Sequence, residues 1–209
     1  MPQPATLKTA EIFSSVQGEG LRQGEPAIFI RFTGCNLRCS FCDTKTAWKP
    51  GADMTVEGIV QRVRAARRGF PAGWVCLTGG EPLLQDLGPL VRRLKKEKLR
   101  VQVETNGTMA RDWPVDWWTV SPKPPAWKTA DFFRNKAREV KLVVTRELTL
   151  KTIQKLRLEF PQKTPIILQP QSNKRWSAAH AFRLLERAVK TGLANIRLSV
   201  QLHKVFCLK

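Results

Sequence analysis

Histidine is almost missing from this chain: His180 and His203 are the only two in 209 residues. A closed zinc site takes four Cys or His ligands, so any such site here would have to come almost wholly from cysteine. Cysteine is also scarce, with five in all. Acidic residues are the next shortage, 17 Asp and Glu against 36 Lys and Arg, a formal charge of +19. No stretch approaches the ~18 consecutive apolar residues that a membrane-spanning helix requires. Residues 1–13 hold no apolar core of a secretory leader. Internal repeats, low-complexity tracts and linkers are absent as well. The expectation is one cytoplasmic domain over residues 1–209, long enough for a real core.

A charge of +19 invites a nucleic-acid partner. The cations do not form one block, however. They recur over residues 62–68, 92–100, 128–141 and 151–157, mostly as polar faces of apparent helices. The reading is a solvated cationic surface able to attract an anionic small substrate, with neither a membrane nor a specific nucleic acid as partner.

The informative stretch is 34–46, Gly-Cys-Asn-Leu-Arg-Cys-Ser-Phe-Cys-Asp-Thr-Lys-Thr, with Cys35, Cys39 and Cys42 at C-x3-C-x2-C spacing. Three cysteines this close cannot all pair with one another, and a reducing compartment disfavours disulfides. A zinc site lacks an obvious fourth ligand, since Cys76 and Cys207 lie far off. Three thiolates without a fourth suit an iron–sulfur cluster with one iron left open to a substrate or cofactor.

Around this loop, strands and helices alternate. Strands are predicted over 7–13, 27–32, 74–77, 101–105, 117–120, 139–144, 166–169 and 196–202. Helices are predicted from Thr55, through Leu90, Val91 and Leu94, over 149–160 and over 177–190. Val56, Ile59, Val60 and Val63 form one apolar stripe. Ala181, Leu184, Leu185, Ala188 and Val189 form another, ended by Gly192. Such alternation predicts a parallel sheet with crossover helices.

Candidate ligand residues cluster where strands end. Residues 14–20, Ser-Ser-Val-Gln-Gly-Glu-Gly, make a loop whose glycines allow close approach, with Gln17 and Glu19 adding an amide and a carboxylate. Arg31 interrupts an apolar strand and needs a partner, either a structural carboxylate or a substrate carboxylate. Thr78-Gly-Gly-Glu-Pro82 turns from strand to helix, and Glu81 can accept from a cation. Glu104 and Asn106, Gln169 and Pro170, and Gln201, His203 and Lys204 lie at strand ends, where open α/β folds place ligands. Cys76 reads as a buried small hydrophobe. The tryptophans of 113–125 read as core or subunit contact rather than a base-stacking platform.

The cysteine spacing resembles the signature of the radical S-adenosylmethionine (SAM) enzymes. Joined to Gln-Gly-Glu-Gly at 17–20, Cys-Asp-Thr-Lys at 42–45 resembles the 7-carboxy-7-deazaguanine synthases of queuosine-precursor biosynthesis. Further matching stretches are 78–82, 104–107, 121–123 and 197–204, so the resemblance spans nearly the whole chain. It implies a partial, open (β/α) barrel of the radical SAM type, reduced in helix content. It implies a 4Fe–4S cluster on Cys35, Cys39 and Cys42. SAM would be bound through Phe41, Cys42, Asp43, Gly80, Glu104, Asn106, Ser121, Pro122, Lys123, Gln169 and Pro170. Mg²⁺ would bind through the hydroxyl of Thr44. The implied substrate is 6-carboxy-5,6,7,8-tetrahydropterin, contacted by Val16, Gln17, Gly18, Glu19, Arg31, Thr78 and His203, with Arg31 on its carboxylate. The implied reaction is abstraction of a hydrogen at C6 by a 5′-deoxyadenosyl radical, ring contraction, return of the hydrogen to regenerate SAM, and loss of ammonia. A homodimer and an electron donor such as flavodoxin or ferredoxin belong to the same expectation. Residues 205–209 depart from the pattern, since some relatives use their C-terminal carboxylate near the site. Two alternatives are an activase that makes a glycyl radical on another protein and a cationic metal-binding RNA module.

Overall fold

The computed structural model describes residues 6–208. Their strands join one nine-stranded sheet in the order β3-β1-β2-β4-β5-β6-β7-β8-β9. β1 (Thr6–Val16) pairs antiparallel with both β2 (Pro26–Phe32) and β3 (Ala52–Thr55). From β2 onward every pairing is parallel, through β4 (Trp74–Gly79), β5 (Arg100–Thr105), β6 (Trp117–Val120), β7 (Ala137–Val144), β8 (Ile166–Pro170) and β9 (Ile196–Leu198). The ends of the sheet, β3 and β9, do not pair, so the barrel stays open as expected.

Four long crossovers carry helices: α1 (Val56–Gly69), α2 (Gly88–Lys96), α4 (Leu150–Glu159) and α5 (Arg175–Lys190). Between β6 and β7 there is only the single turn α3 (Phe133–Lys136), and between β5 and β6 no helix at all. This is the reduced helix content that the resemblance implied. Thr55 and Thr149 cap α1 and α4, accepting from the Gly58 and Thr152 amides, which satisfies donors a helix start leaves unpaired. The stripes Ile59, Val60, Val63 and Leu90, Val91, Leu94 are buried against one face of the sheet, in one continuous core. Among the described residues no helix is long and apolar enough to cross a membrane.

Several local expectations change. β1 runs on to Val16, because Ser14, Ser15 and Val16 pair with β2. β3 carries no apolar pattern, because two of its four residues are exposed and none is fully buried. The last strand ends at Leu198 rather than 202, and α6 (Leu202–Val205) follows as a single turn. Val189 points outward, 65% exposed. Two cations expected at the surface are buried. Lys141 sits in mid-sheet, and Arg157 donates to the carbonyls of Phe160 and Thr164 at the end of α4. Trp113 and Trp118 are buried with Phe133 in the core, as the core reading of that segment requires.

Gly20 follows β1 with φ +72, and a Cβ there would lie 2.4 Å from Oε1 of the buried Glu139. Gly20→Ala therefore combines a left-handed backbone with displacement of a buried carboxylate. The expected loss is roughly 2–5 kcal/mol, lowering the thermal midpoint by roughly 5–15 °C in a scan of the purified protein.

Candidate active site

The carboxyl ends of the parallel strands point to one end of the sheet, and the loops leaving them open onto one cavity. β2 delivers the cysteine loop, β4 the Gly-Gly turn and β5 Glu104 to Asn106. β6 delivers Ser121 and Lys123, and β8 ends in Gln169 and Pro170. The loop after β1 brings Gln17, Gly18 and Glu19, and the segment after β9 brings Gln201 and His203. The parallel strands all end on the same side, which gathers most of these residues; β1 runs antiparallel and ends beside the start of β2, and the loop after it reaches the others through Gln17 on Glu104 and Glu19 on Lys141. Val16, Arg31, Phe41, Cys42, Asp43, Thr44, Thr78 and Gly80 line the cavity as well. Pro122, which is buried, and Lys204 lie outside the lining, although Ser121, Lys123 and His203 beside them belong to it.

Tight backbone contacts hold the cysteine loop. Gly80 N donates to Phe32 O at 3.1 Å and Glu81 N to Gly34 O at 2.7 Å. A Cβ on Gly80 would lie 1.9 Å from Gly34 O. The glycine pair serves this close chain approach, and the Gly80 amide is spent on Phe32 rather than left for a ligand. Cys35, Cys39 and Cys42 are half-buried and reduced, and all three line the cavity. Burial pushes the thiols of Cys39 and Cys42 up. Among the described residues no three Cys, His, Asp or Glu side chains surround a point that one ion could occupy. A zinc ion holds thiolates on one centre at ~2.3 Å. An iron–sulfur cluster spreads its cysteines over separate irons, so this donor set fits a cluster better.

Glu81 does not face a cation. It is 1% exposed and accepts from Asn106 N at 2.7 Å, Thr105 Oγ1 at 2.8 Å and Leu83 N at 3.0 Å. Burial raises its pKa, with those donors opposing. Its role is to tie the turn after β4 to the end of β5.

A second network forms the floor. The Lys141 ammonium, 6% exposed, pairs with Glu19 and with Glu104 at 3.3 Å. Although burial disfavours its charge, these two carboxylates hold it well above the usual lysine range. Gln17 donates to Glu104 at 2.9 Å and to Gln102 at 3.0 Å, and Gln102 donates to Thr119 at 2.9 Å. Thr119 donates to Glu139 at 2.7 Å, and Glu139 also accepts from Leu21 N at 2.6 Å. Arg22 donates to Gln102 and lies 3.4 Å over the Trp74 ring. This run of bonds joins the loop after β1 to β5, β6 and β7. Cys76 beneath it is fully buried, with its thiol pushed well up by burial, as a small hydrophobe should be. Lys141 is the site residue that sequence reading missed, and Gln201, marked there only by its place at a strand end, lines the cavity as well. The signal for Lys141 was the one that marked Arg31, a lone cation in an apolar strand.

Arg31 has the structural carboxylate that one of its two readings required. Its Nε donates to Glu11 at 2.8 Å, and its side chain lines the cavity. Asp43 accepts from Lys204 at 2.8 Å, Gln201 at 3.1 Å and Thr44 Oγ1 at 3.1 Å. Burial opposes its charge, yet Lys204 and these donors hold it down at about 2. Lys123 donates to Ser121 O and Oγ, and burial together with Lys141 pushes it down to about 8. Gln169 is 1% exposed, and neither side-chain amide atom has a partner. A buried, unbonded carboxamide at the edge of a cavity suits a ligand with a donor and an acceptor side by side, as adenine has.

Removing Lys141 leaves two carboxylates facing each other without a cation. Lys141→Met should lose about 3–5 kcal/mol in urea unfolding. Burial works against the charged form of Glu19, but Lys141 and Gln201 hold its pKa below the usual value. Its contribution to stability is thus complete above about pH 4.3, the unfolded value, and is lost as pH falls through the folded one. In Lys141→Met the folded pKa of Glu19 rises, so the advantage of wild type over variant should shrink as the pH is lowered below about 4.

Comparison with known proteins agrees with this geometry. A family model described as the radical SAM superfamily matches residues 29–200. A 7-carboxy-7-deazaguanine synthase of Methanospirillum hungatei is 35% identical over 97% of this chain and 86% of its own length. The synthase of Escherichia coli K12 is 35% identical over 93% of this chain and 95% of its own. The crystal structure of QueE from Escherichia coli superposes with a TM-score of 0.79 at 31% identity, covering 95% of both chains. SuiB of Streptococcus suis, at 17% identity and a TM-score of 0.57, shares the fold. A cysteine loop, a glycine turn and a substrate loop brought to one cavity, with relatives alike along nearly the full chain, place this protein in the radical SAM superfamily, among the 7-carboxy-7-deazaguanine synthases.

Proposed function

We propose that this enzyme is a carbon–nitrogen lyase converting 6-carboxy-5,6,7,8-tetrahydropterin to 7-carboxy-7-deazaguanine with loss of ammonia, in 7-deazapurine (queuosine) biosynthesis. The observation that carries the reading is the meeting of Cys35, Cys39 and Cys42 with Gln17, Glu19 and Arg31 on one cavity. When bound, a 4Fe–4S cluster with SAM supplies a 5′-deoxyadenosyl radical that takes a hydrogen from the substrate and returns it.

The chain's own residues then bind, orient and keep water out. Cys35, Cys39 and Cys42 hold the cluster. Phe41, Asp43, Asn106, Ser121, Lys123 and Pro170 surround SAM, Gln169 reads its adenine, and Gly80 shapes the turn beneath it. Glu104, tied to Lys141 and Gln17, fixes the floor and would also contact SAM. Val16, Gln17, Gly18, Glu19, Thr78 and His203 surround the pterin, and Arg31, steadied by Glu11, meets its carboxylate. The Thr44 hydroxyl is the one protein ligand to Mg²⁺, an ion that keeps much of its water.

The reductant is a small acidic one-electron donor such as flavodoxin or ferredoxin, a charge match for a chain of +19. The exposed Val205 and Phe206 suit a homodimer contact. A glycyl-radical activase would need a groove for a polypeptide. The ion-paired floor of Lys141, Glu19 and Glu104 suits a small polar ring instead.

Anaerobic reconstitution followed by assay with the tetrahydropterin tests the function directly: product and ammonia are expected in equal amounts. Cys39→Ala should abolish SAM cleavage with an unchanged circular dichroism spectrum, and retained cleavage removes the cluster assignment. Thr44→Ala should lose its response to Mg²⁺ while keeping the cluster absorbance. Arg31→Lys should raise KM for the pterin at least about 10-fold, since a point charge does not replace a planar fork.

A further inference from the structure

Beyond β9 the chain turns over the mouth of the cavity and is fastened on the far side. Leu202 N donates to Gly18 O at 2.8 Å. Gln23 Nε2 donates to Val200 O at 2.7 Å and to Gly18 O at 2.9 Å. His203 sits so close to Gly18 that a Cβ there would lie 2.1 Å from Nδ1. At the centre is Gln201, 5% exposed. Asn173 clasps its backbone twice, accepting from Gln201 N and donating to Gln201 O, both at 3.0 Å.

The side chain of Gln201 has only one possible orientation. Its Nε2 donates to Glu19 Oε1 at 2.6 Å and to Asp43 Oδ2 at 3.1 Å. Ionised carboxylates only accept, so the NH₂ must face them and the oxygen must face away. A flipped amide would set its oxygen against two carboxylates. Oε1 is buried and has no partner, and Gln201 lines the cavity. An unbonded buried acceptor is destabilising, which is tolerated where a ligand supplies the missing donor.

We propose that Gln201 is a specificity-determining residue, whose fixed side-chain oxygen accepts a hydrogen bond from a ring N–H of the reduced pterin and so selects the tetrahydro form over the oxidised one. This rests on the pterin reading above. In the tetrahydropterin N5 and N8 carry hydrogens, and in the fully oxidised ring both are bare acceptors. N5 adjoins the carbon that bears the carboxylate, and His203, a substrate contact in that reading, is two residues from Gln201. An acceptor that cannot turn attracts N5–H and repels a bare N5. Glu19 and Asp43 are therefore what make Gln201 selective, because they remove its freedom to offer its NH₂ instead.

The test is anaerobic equilibrium binding of 6-carboxytetrahydropterin and of fully oxidised 6-carboxypterin to the SAM-loaded, cluster-reconstituted protein, for wild type and Gln201→Met. Wild type should bind the reduced pterin at least about 10-fold more tightly, the span of one directed hydrogen bond. In Gln201→Met that ratio should collapse toward one through weaker binding of the reduced form alone. A residue that only braced the fold would weaken both pterins together, and that result overturns the proposal. So does an unchanged ratio in the variant. Equal affinities in wild type overturn it without any variant, should Gln201→Met fail to fold. Wild type that binds neither pterin removes the functional reading itself, an outcome distinct from tight binding without discrimination.

Discussion

A buried ammonium in the middle of a parallel sheet is the constraint on which the interior of this barrel depends. Lys141 sits where both neighbours in its strand, Val140 and Leu142, are fully buried. Taking such a charge out of water costs several kcal/mol, and only close, well-bonded counter-charges offset it. Glu19 and Glu104 meet that need, and each is held in turn by an amide, Gln201 on Glu19 and Gln17 on Glu104. The consequence is geometric. Glu19 belongs to the loop after β1 and Glu104 to β5, so satisfying one lysine fastens a loop to the sheet. The bonds from Gln102 through Thr119 to Glu139 extend this to Arg22 and Leu21.

The two faces of the sheet are therefore built on different principles. The helix-covered face is an apolar core of the ordinary kind, in which α1, α2, α4 and α5 each bury a stripe. The other face carries a small apolar cluster of Trp74, Phe29 and Cys76 and a polar network toward the strand ends. Polar side chains there satisfy one another, which makes the floor rigid before any ligand arrives. Rigidity of that kind suits a reaction in which a radical must meet one carbon and no other. Among the atoms left unsatisfied, both side-chain amide atoms of Gln169 and the oxygen of Gln201 belong to residues that line the cavity.

Openness of the barrel has its own remedy. β3 and β9 never meet, so the gap is bridged by the segment from Ser199 to Lys204, pinned to Gly18, Gln23 and Asp43. The same bridge ties the substrate loop to the cysteine loop through Glu19 and Asp43, both bonded to Gln201. Glycines sit where these pieces approach most closely: Gly18 under His203, Gly20 against Glu139 and Gly80 against Gly34.

Much of this was legible in the amino-acid order. The spacing of Cys35, Cys39 and Cys42, the glycine turn at 79–80 and the strand–helix alternation are local patterns, and local patterns carry their own periods and spacings. Most of the ligand residues singled out from them line the cavity, with Glu81, Pro122 and Lys204 excepted. What stayed hidden depends on partners distant in the chain. Lys141 read as one more surface cation until Glu19, 122 residues away, stood beside it. Glu81 read as a cation partner until the end of β5 claimed it. Gln201 was marked only by its place at a strand end, and its orientation follows from two carboxylates, 182 and 158 residues earlier, that only the folded chain brings to one amide. The sequence by itself determined which groups could do chemistry. The tertiary structure decided which were free to do it, because burial leaves a polar atom only the partners that folding places within reach.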